Sequence, residues 1–221
     1  MNYEIDHLFI LSEFEAPQAE ELVKFGWTEG SRNTHPGQGS ANRRFYCRNA
    51  MLEFLWITDK VEATTGEAGR LKLYDRSKWR NNKSSPFGIC LRPTSLPPQA
   101  LPFPTWLYKP EYFPDIAGIQ MSDEPDSLLS PEVFMLPFPE RQEDYPPKRQ
   151  QPLKHQFGGE YLTKTTLHGQ FPDSSLALAE LAKHNIIELK QGSSPTLELT
   201  LDSGTHGRMD FRPQIPLIIN Y

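Results

Sequence analysis

The sequence predicts an α+β fold built from repeated β-α-β-β-β units. Apolar alternation and turn residues place one such unit in residues 1–58. The same order of elements recurs in residues 155–221, which suggests internal duplication. Between them, 14 of the 21 prolines lie from Pro93 to Pro152. Because proline breaks helices and cannot donate to a sheet ladder, that stretch must consist of short strands and turns.

The first unit has the clearest pattern. Its strands alternate apolar and polar residues, and Gly26 is placed to end its helix in the left-handed conformation. The predicted elements are strand Tyr3–Leu11, helix Pro17–Phe25, short strand Trp27–Ser31, loop Asn33–Asn42, and strands Arg43–Arg48 and Met51–Thr58 joined by a turn at Asn49-Ala50.

The second unit, residues 84–138, is proline-rich and degenerate. Its predicted strands are Pro86–Arg92, Thr105–Tyr108, Ile116–Met121 and Val133–Phe138. Three prolines in Leu96–Pro102 argue against a helix at the position where the first unit has one.

The third unit, residues 155–221, begins with an alternating strand and then a helix for which Asp173 is a candidate N-cap. The predicted elements are strand Glu160–His168, helix Leu176–Lys183, strands Ile186–Lys190, Thr196–Leu201 and Arg208–Phe211, and an extended tail Ile215–Tyr221. Residues 60–83 and 139–154 are polar connectors, the first with one short helix around Ala68–Tyr74.

Composition excludes several classes of protein. A net charge of −5 and a pI near 5.7 disfavour a general nucleic-acid binder. The sequence has no run of 18 apolar residues and no signal peptide at its start, so we expect no membrane span and a cytoplasmic location. The two cysteines, Cys47 and Cys90, lie in apolar runs and are expected to be buried thiols.

Two polar residues interrupt otherwise apolar rows. Alternation places His7 between Ile5 and Phe9 on one face of the first strand, and Glu53 in the matching row of the fourth. A buried glutamate is costly unless it is paired, protonated or bound to a cation. A facing His and Glu can bind a divalent metal or act as a base and its orienting partner. The alternative is a structural His7, with Glu53 paired to an arginine or turned to solvent.

The loop from Asn33 to Asn42 is the densest polar segment. His35, Gly37 and Gly39 lie in it, and Asn42 and Arg43 end it. Backbone N–H groups in glycine-rich loops can form a concavity that binds anions. We therefore predict that these five residues, with Arg92 from the second unit, contact a substrate carboxylate or phosphate. The alternative is a turn whose side chains bond their own backbone.

The arginines leave one ambiguity open. Arg43 and Arg44 are consecutive strand residues and face opposite sides, so at most one enters the predicted site. Arg92 ends its strand and either reaches the site or caps the sheet edge.

These residues resemble a known family. The segments Asp6-His7-Leu8-Phe9-Ile10 and Met51-Leu52-Glu53-Phe54-Leu55, with the loop His35-Pro36-Gly37-Gln38-Gly39-Ser40-Ala41-Asn42-Arg43, are similar to the glyoxalase-like group of the vicinal oxygen chelate superfamily. The resemblance implies that paired units form a half-open curved sheet, a cup. It also implies that His7 and Glu53 hold a divalent metal (Zn, Fe, Mn, Ni or Mg). The chain departs from the family pattern because its second unit supplies no hard ligand apart from Cys90.

The resemblance implies a small-molecule enzyme of the lyase, isomerase or dioxygenase type. It would use metal-assisted or acid–base chemistry on an oxygen-bearing, acidic substrate. The alternative is a non-catalytic binding protein with the same cup and no competent metal site. A third hypothesis is an interaction module that uses the aromatic segment from Trp106 to Phe113. The expected partner is a small molecule, and the expected state is a monomer or homodimer, since the third unit can take the place of a second subunit.

Overall fold

A computed structural model describes residues 2–113, 118–124 and 128–221. It has an α+β fold in which eight strands form one strongly curled mixed sheet, in the order β2-β3-β4-β1-β5-β8-β7-β6. The strands are β1 Tyr3–Leu11, β2 Asn33–His35, β3 Ser40–Tyr46, β4 Met51–Ile57, β5 Phe87–Pro93, β6 Thr105–Tyr108, β7 Ile119–Ser122 and β8 Glu132–Met135. Of the strand predicted at Ile116–Met121, residues 116 and 117 lie outside the described part of the chain.

The eight-stranded sheet consists of two halves that meet at its centre. There β1 runs antiparallel to β5, and each has a parallel partner, β4 and β8 respectively. The first half contains a short turn of 3-10 helix, Pro17–Ala19, that leads into α1 (Glu20–Phe25), and Gly26 ends α1 with a φ of 109°. Residues 94–104 between β5 and β6 form no helix, as the prolines predict.

A second sheet has five strands in the order β10-β9-β11-β13-β12. The elements are β9 Leu162–Gly169, α5 Leu176–Lys183, β10 Glu188–Gln191, β11 Thr196–Leu201, β12 Arg208–Asp210 and β13 Leu217–Asn220. The strand pairing at its centre is the same as in the larger sheet. β9 runs antiparallel to β11, and each has a parallel neighbour, β10 and β13 respectively. The N-cap of α5 is Ser175, whose hydroxyl accepts from the Leu178 N–H, and not the predicted Asp173.

One apolar core joins the two sheets. Leu8 of β1 and Ile89 of β5 belong to the same buried cluster as Leu178 of α5 and Leu199 of β11. Trp56 also lies in this core, on the face opposite Glu53, as alternation predicts. The other face of the eight-stranded sheet is concave and carries a smaller apolar cluster. The curved sheet therefore packs the five-stranded sheet against one side and leaves a cup on the other.

Residues 60–83 form more structure than the predicted connector. They contain α2 (Lys60–Thr64), a turn of 3-10 helix (Ala68–Leu71), α3 (Leu73–Arg76) and α4 (Trp79–Asn82). Leu71 and Leu73 pack into the apolar cluster of the cup, so this segment forms one of its walls. No helix within the described ranges has the length and apolarity needed to cross a membrane.

Candidate functional site

The concave face of the eight-stranded sheet encloses a cavity of about 340 Å³. Most of its lining is apolar and aromatic, including Phe9, Leu55 and Phe134. The polar residues that line it are Asp6, His7, Asn33, His35, Gln38, Arg44, Tyr108, Tyr112, Glu53 and Glu132. An apolar cavity with a few convergent polar groups is the usual form of a small-molecule site.

His7 is held from one side by a carboxylate. Its Nδ1 lies 2.6 Å from Oδ1 of Asp6, and the other oxygen of Asp6 accepts from Arg92 at 3.1 Å. Arg92 is 2% exposed and also binds Glu4 and the carbonyl of Asn49. Because Asp6 occupies Nδ1, the imidazole is oriented with Nε2 directed at Glu53.

Glu53 faces His7 across a gap. The distance from His7 Nε2 to Glu53 Oε2 is 4.0 Å, which is longer than a hydrogen bond. The two residues are 8% and 7% exposed. The Glu53 carboxylate has no hydrogen bond to any residue that the structure describes. Both residues thus line the same cavity, and no direct hydrogen bond joins them.

The surroundings favour a charged His7. Burial opposes protonation, but Cys90, Glu53 and the bonded Asp6 raise the pKa of His7 well above its ordinary value. Burial likewise opposes ionisation of Asp6, yet His7 and Arg92 lower its pKa. Burial raises the pKa of the Cys90 thiol to about 11, so at neutral pH we assign the proton to sulfur and attribute the charge on His7 to its carboxylate neighbours.

Asp6, His7 and Cys90 offer three ligand atoms that all lie within 4.8 Å of one another, and such a cluster could hold a metal ion. The Nδ1–H of His7 donates to Asp6, which is the arrangement that usually orients a metal-bound histidine. A donor set of imidazole, carboxylate and thiol is accepted by zinc and iron. The chemistry of these side chains therefore fits a divalent ion of that type. Cys47, the other cysteine, is also buried, and it belongs to no such cluster among the residues that the structure describes.

The glycine loop is already occupied by a carboxylate of the chain itself. Gly37 and Gly39 both have a positive φ, and their N–H groups donate to Oε2 of Glu62 at 2.9 and 3.1 Å. A Cβ at Gly39 would lie 2.2 Å from the carbonyl oxygen of Asp59, so a larger residue does not fit there. The loop does form an anion-binding concavity, but Glu62 of α2 fills it.

His35 and Asn42 hold the hairpin of this loop together. His35 lines the cavity, its Nδ1 lies 3.0 Å from the Ser40 hydroxyl, and burial lowers its pKa. Asn42 is fully buried, and its side-chain oxygen accepts from the Asn33 N–H at 3.0 Å. Asn42 is not among the residues that line the cavity.

The arginines require a correction. Arg43 pairs in register with Phe54 of the shared core and faces away from the cup, where it binds Glu29, Glu20 and the carbonyl of Ala16. Its neighbour Arg44 lines the cavity. Arg92 lies beneath Asp6 and not against the cavity, because the partly buried carboxylates of Glu4 and Asp6 on β1 engage its guanidinium.

The site predicted from the sequence did not include Gln38, Tyr112 or Glu132, and all three line the cavity. The Tyr112 hydroxyl donates to Gln38 at 2.8 Å and bridges the two halves of the cup mouth, and the rings of Tyr112 and His35 lie 5.1 Å apart. Glu132 lies at the start of β8 with its carboxyl 3.9 Å from the Arg76 guanidinium. An acidic residue opening an apolar strand was the available signal for Glu132. Tyr112 belongs to the aromatic segment from Trp106 to Phe113 noted in the sequence, but its contact with Gln38 could not be predicted, because the two residues lie 74 positions apart.

Comparison with known proteins supports the fold. No family model matches the sequence, and no curated protein matches it. The crystal structure of a hypothetical protein from Staphylococcus aureus is similar, with a TM-score of 0.57 over 98% of each chain and 11% sequence identity. At that identity the likeness concerns the fold alone. The curled half-barrel sheet is compatible with a glyoxalase-like cup.

Proposed function

We propose that this chain is a small-molecule enzyme of the glyoxalase-like type, which moves a proton next to a carbonyl group of its substrate. One observation carries the proposal. The chain of contacts Arg92–Asp6–His7 ends in an imidazole that faces the carboxylate of Glu53 across 4.0 Å inside an apolar cavity. An acid and a base whose side chains line one cavity, so that both can reach a substrate bound beside them, suit proton transfer.

In the proposed reaction, Glu53 and His7 act in turn. The Glu53 carboxylate removes a proton from the carbon beside the carbonyl, and the C–H electron pair forms a carbon–carbon double bond. The carbonyl π pair moves onto oxygen, which takes the proton from Nε2 of His7. When the proton is returned to a different carbon, or to the other face of the same carbon, the product is an isomer or an epimer of the substrate. The raised pKa of His7 keeps the donor proton in place at neutral pH.

A divalent ion (Zn, Fe, Mn, Ni or Mg) held by His7 and Glu53, with Asp6 and Cys90 as the further donors clustered at His7, would polarise the substrate oxygen as a Lewis acid. The resemblance to the vicinal oxygen chelate superfamily and the clustered donors support including metal in the test. The non-catalytic binding protein is the second candidate, and the mostly apolar cavity lining favours it.

The test measures solvent deuterium entering 2-oxo acids such as phenylpyruvate in D₂O, by loss of the NMR signal of the C3–H protons next to the carbonyl, above the rate of exchange without protein. We expect exchange with the wild type and a loss of at least about 100-fold in Glu53→Gln and in His7→Asn, since general acid–base groups contribute that much. His168→Asn and Glu198→Gln alter a similar pair on the other sheet and serve as matched controls.

Two further results separate the candidates. One equivalent of metal in the purified wild type, absent from the His7→Ala/Glu53→Ala double variant, would support the metal-assisted form. Ligand binding without exchange of any substrate, with or without added metal, would overturn the enzyme and favour the binding protein.

A further inference from the structure

A single row of residues crosses the floor of the cup. In register, Arg44 of β3 pairs with Glu53 of β4, Glu53 with Phe9 of β1, Phe9 with Gly88 of β5, and Gly88 with Glu132 of β8. Paired residues share a sheet face, so Arg44 and Glu132 lie at opposite ends of one row. Both line the cavity. The cup is therefore a cavity with two different polar ends.

The centre of the row is apolar and flat. Gly88 has no side chain, and a Cβ there would lie 2.0 Å from the ring of Phe9. The Phe9 ring therefore lies over the backbone of β5 and forms the floor between the two ends. Phe134 lies beside it, with ring centroids 6.3 Å apart. Such a surface suits a flat, apolar ligand body.

Glu132 is a buried acid without a hydrogen-bond partner in the described part of the chain. Its side chain is 11% exposed, and the Arg76 guanidinium at 3.9 Å is its nearest charged neighbour. Burial raises its pKa to about 7, against the opposing charges of Arg76 and Lys72. A protonated carboxyl can donate a hydrogen bond to a neutral oxygen, which an ionised one cannot.

Arg44 supplies the opposite end. Its Nε donates to the Ser31 carbonyl at 2.6 Å, and its Nη2 donates to the Ser31 hydroxyl at 2.7 Å. These bonds fix the guanidinium while Nη1 has no hydrogen bond within the described residues. Arg44 is the single Arg or Lys among the described residues that line the cavity. A fixed guanidinium with a free edge is suited to a carboxylate.

We propose that Arg44 and Glu132 select the ligand of this cavity: a flat, apolar carboxylic acid that places its carboxylate at Arg44 and a neutral hydroxyl or carbonyl group at Glu132. The inference rests on the proposed function only in that both use the same cavity. It assigns substrate class and not chemistry.

The test compares two acids that differ by one hydroxyl, 3-(4-hydroxyphenyl)propionate and 3-phenylpropionate, by calorimetry with the full chain. We expect the hydroxylated acid to bind the wild type about 10-fold more tightly, the effect of one buried hydrogen bond. We expect Glu132→Leu to bind the two acids with nearly equal affinity. Glu132→Gln keeps a hydrogen-bond donor and should still bind the hydroxylated acid several-fold more tightly, so the ratio of the two affinities stays above one. Arg44→Gln weakens both acids about 10-fold and leaves 4-ethylphenol, which has no carboxylate, unaffected.

Equal binding of the two acids by the wild type, no binding of either, or a ratio unchanged in Glu132→Leu would overturn the inference. Arg208→Gln, on the five-stranded sheet, controls for loss of a positive charge and should leave both affinities unchanged. The outcome is separable from that of the proposed chemistry. If the ratio behaves as expected while no oxo acid exchanges deuterium, the ligand class stands and the reaction does not.

Discussion

Two histidine–glutamate pairs lie on the two sheets of this protein. On the solvent-facing side of the five-stranded sheet, His168 and Glu198 are 2.7 Å apart, and the second oxygen of Glu198 accepts from Arg208 and Asn220. In the cup, His7 and Glu53 remain 4.0 Å apart. The outer carboxylate is satisfied by its neighbours, whereas the inner one keeps its capacity for a ligand. The same pair of residue types therefore marks a stable surface in one place and a candidate site in the other.

The acids of the two regions differ in the same way. Hydrogen bonds from Lys164 and Thr166 lower the pKa of the exposed Glu188 to about 2. In the cup, burial raises the pKa of Glu132 to about 7. Charge pairing dominates on the outer sheet, and desolvation dominates in the cavity.

The largest expected effect on the free energy of unfolding is that of Arg92→Leu. Removing this guanidinium takes one partner from Asp6, which keeps His7, and one from Glu4, which keeps Arg141, and losing one member of a buried pair costs up to about 3–5 kcal/mol of unfolding free energy. The matched change Arg208→Leu on the outer sheet should cost less than about 1 kcal/mol. Urea unfolding of both variants measures the difference. Equal losses would contradict the view that the cup holds its charges in a low-dielectric environment.

The next effect is a pH dependence of stability. Since Glu132 titrates near 7 when folded and near 4.5 when unfolded, the folded state binds more protons between these values. Its contribution to stability is therefore present at low pH and is lost as pH rises from about 4.5 to about 7, by on the order of 3 kcal/mol. Glu132→Gln should flatten that part of the stability curve.

Glu188 on the outer sheet serves as a control for this curve of stability against pH, because its pKa is shifted in the opposite direction. Its folded pKa is lowered, so its contribution is present above the unfolded pKa and is lost as pH falls from about 4.5 toward 2. Glu188→Gln should change the curve in that acidic window alone. A Glu132→Gln variant whose stability falls as steeply as the wild type between pH 5 and 7 would disprove the assigned shift.

A smaller loss is expected for Glu62→Ala. Two backbone N–H groups of the glycine loop lose a charged acceptor, each such bond being worth about 1.5–3 kcal/mol before water replaces it, so we expect a net cost of about 1–2 kcal/mol. The amides of Gly37 and Gly39 should also exchange faster with solvent. Glu21→Ala, which removes an exposed partner of Lys24, is the control and should leave those amides unchanged. Unchanged exchange in Glu62→Ala would show that the loop keeps its shape by other means.

The smallest effect is that of Tyr112→Phe. It removes the hydrogen bond to Gln38 that bridges the cup mouth and should cost about 1 kcal/mol. Tyr161→Phe removes a comparable bond from the exposed Tyr161 to Glu143 and should cost less than about 0.5 kcal/mol. Thermal unfolding compares them, and a larger loss at Tyr161 would argue against a bridged mouth.

Alternation predicted the faces of β1 and β4, and with them the shared location of His7 and Glu53, because a period of two is a local property. The phase of β3 was not predictable, since Arg43 and Arg44 suit either face and the choice depends on Glu29. Arg92 was misassigned for the same reason. Its partner Glu4 lies 88 residues away, and nothing local in the sequence of β5 indicates it.

The short helices of residues 60–83 were mostly missed. Segments of four or five residues have little helical stability of their own, so packing of Leu71 and Leu73 on the cup decides their structure. The substrate roles predicted for His35, Gly37, Gly39 and Asn42 stay predictions. Of these four, His35 lines the cavity.

The core shared by the two sheets has a consequence for biosynthesis. When residues 1–154 have left the ribosome, the side of β1 and β5 that carries Leu8 and Ile89 still lacks the elements that cover it, α5 and β11. The nascent chain therefore presents an apolar surface until residues 176–201, which form these elements, are made, and transiently exposed surfaces of this kind favour aggregation. Chaperone demand during translation should follow the arrival of α5 and β11 and not the completion of the cup.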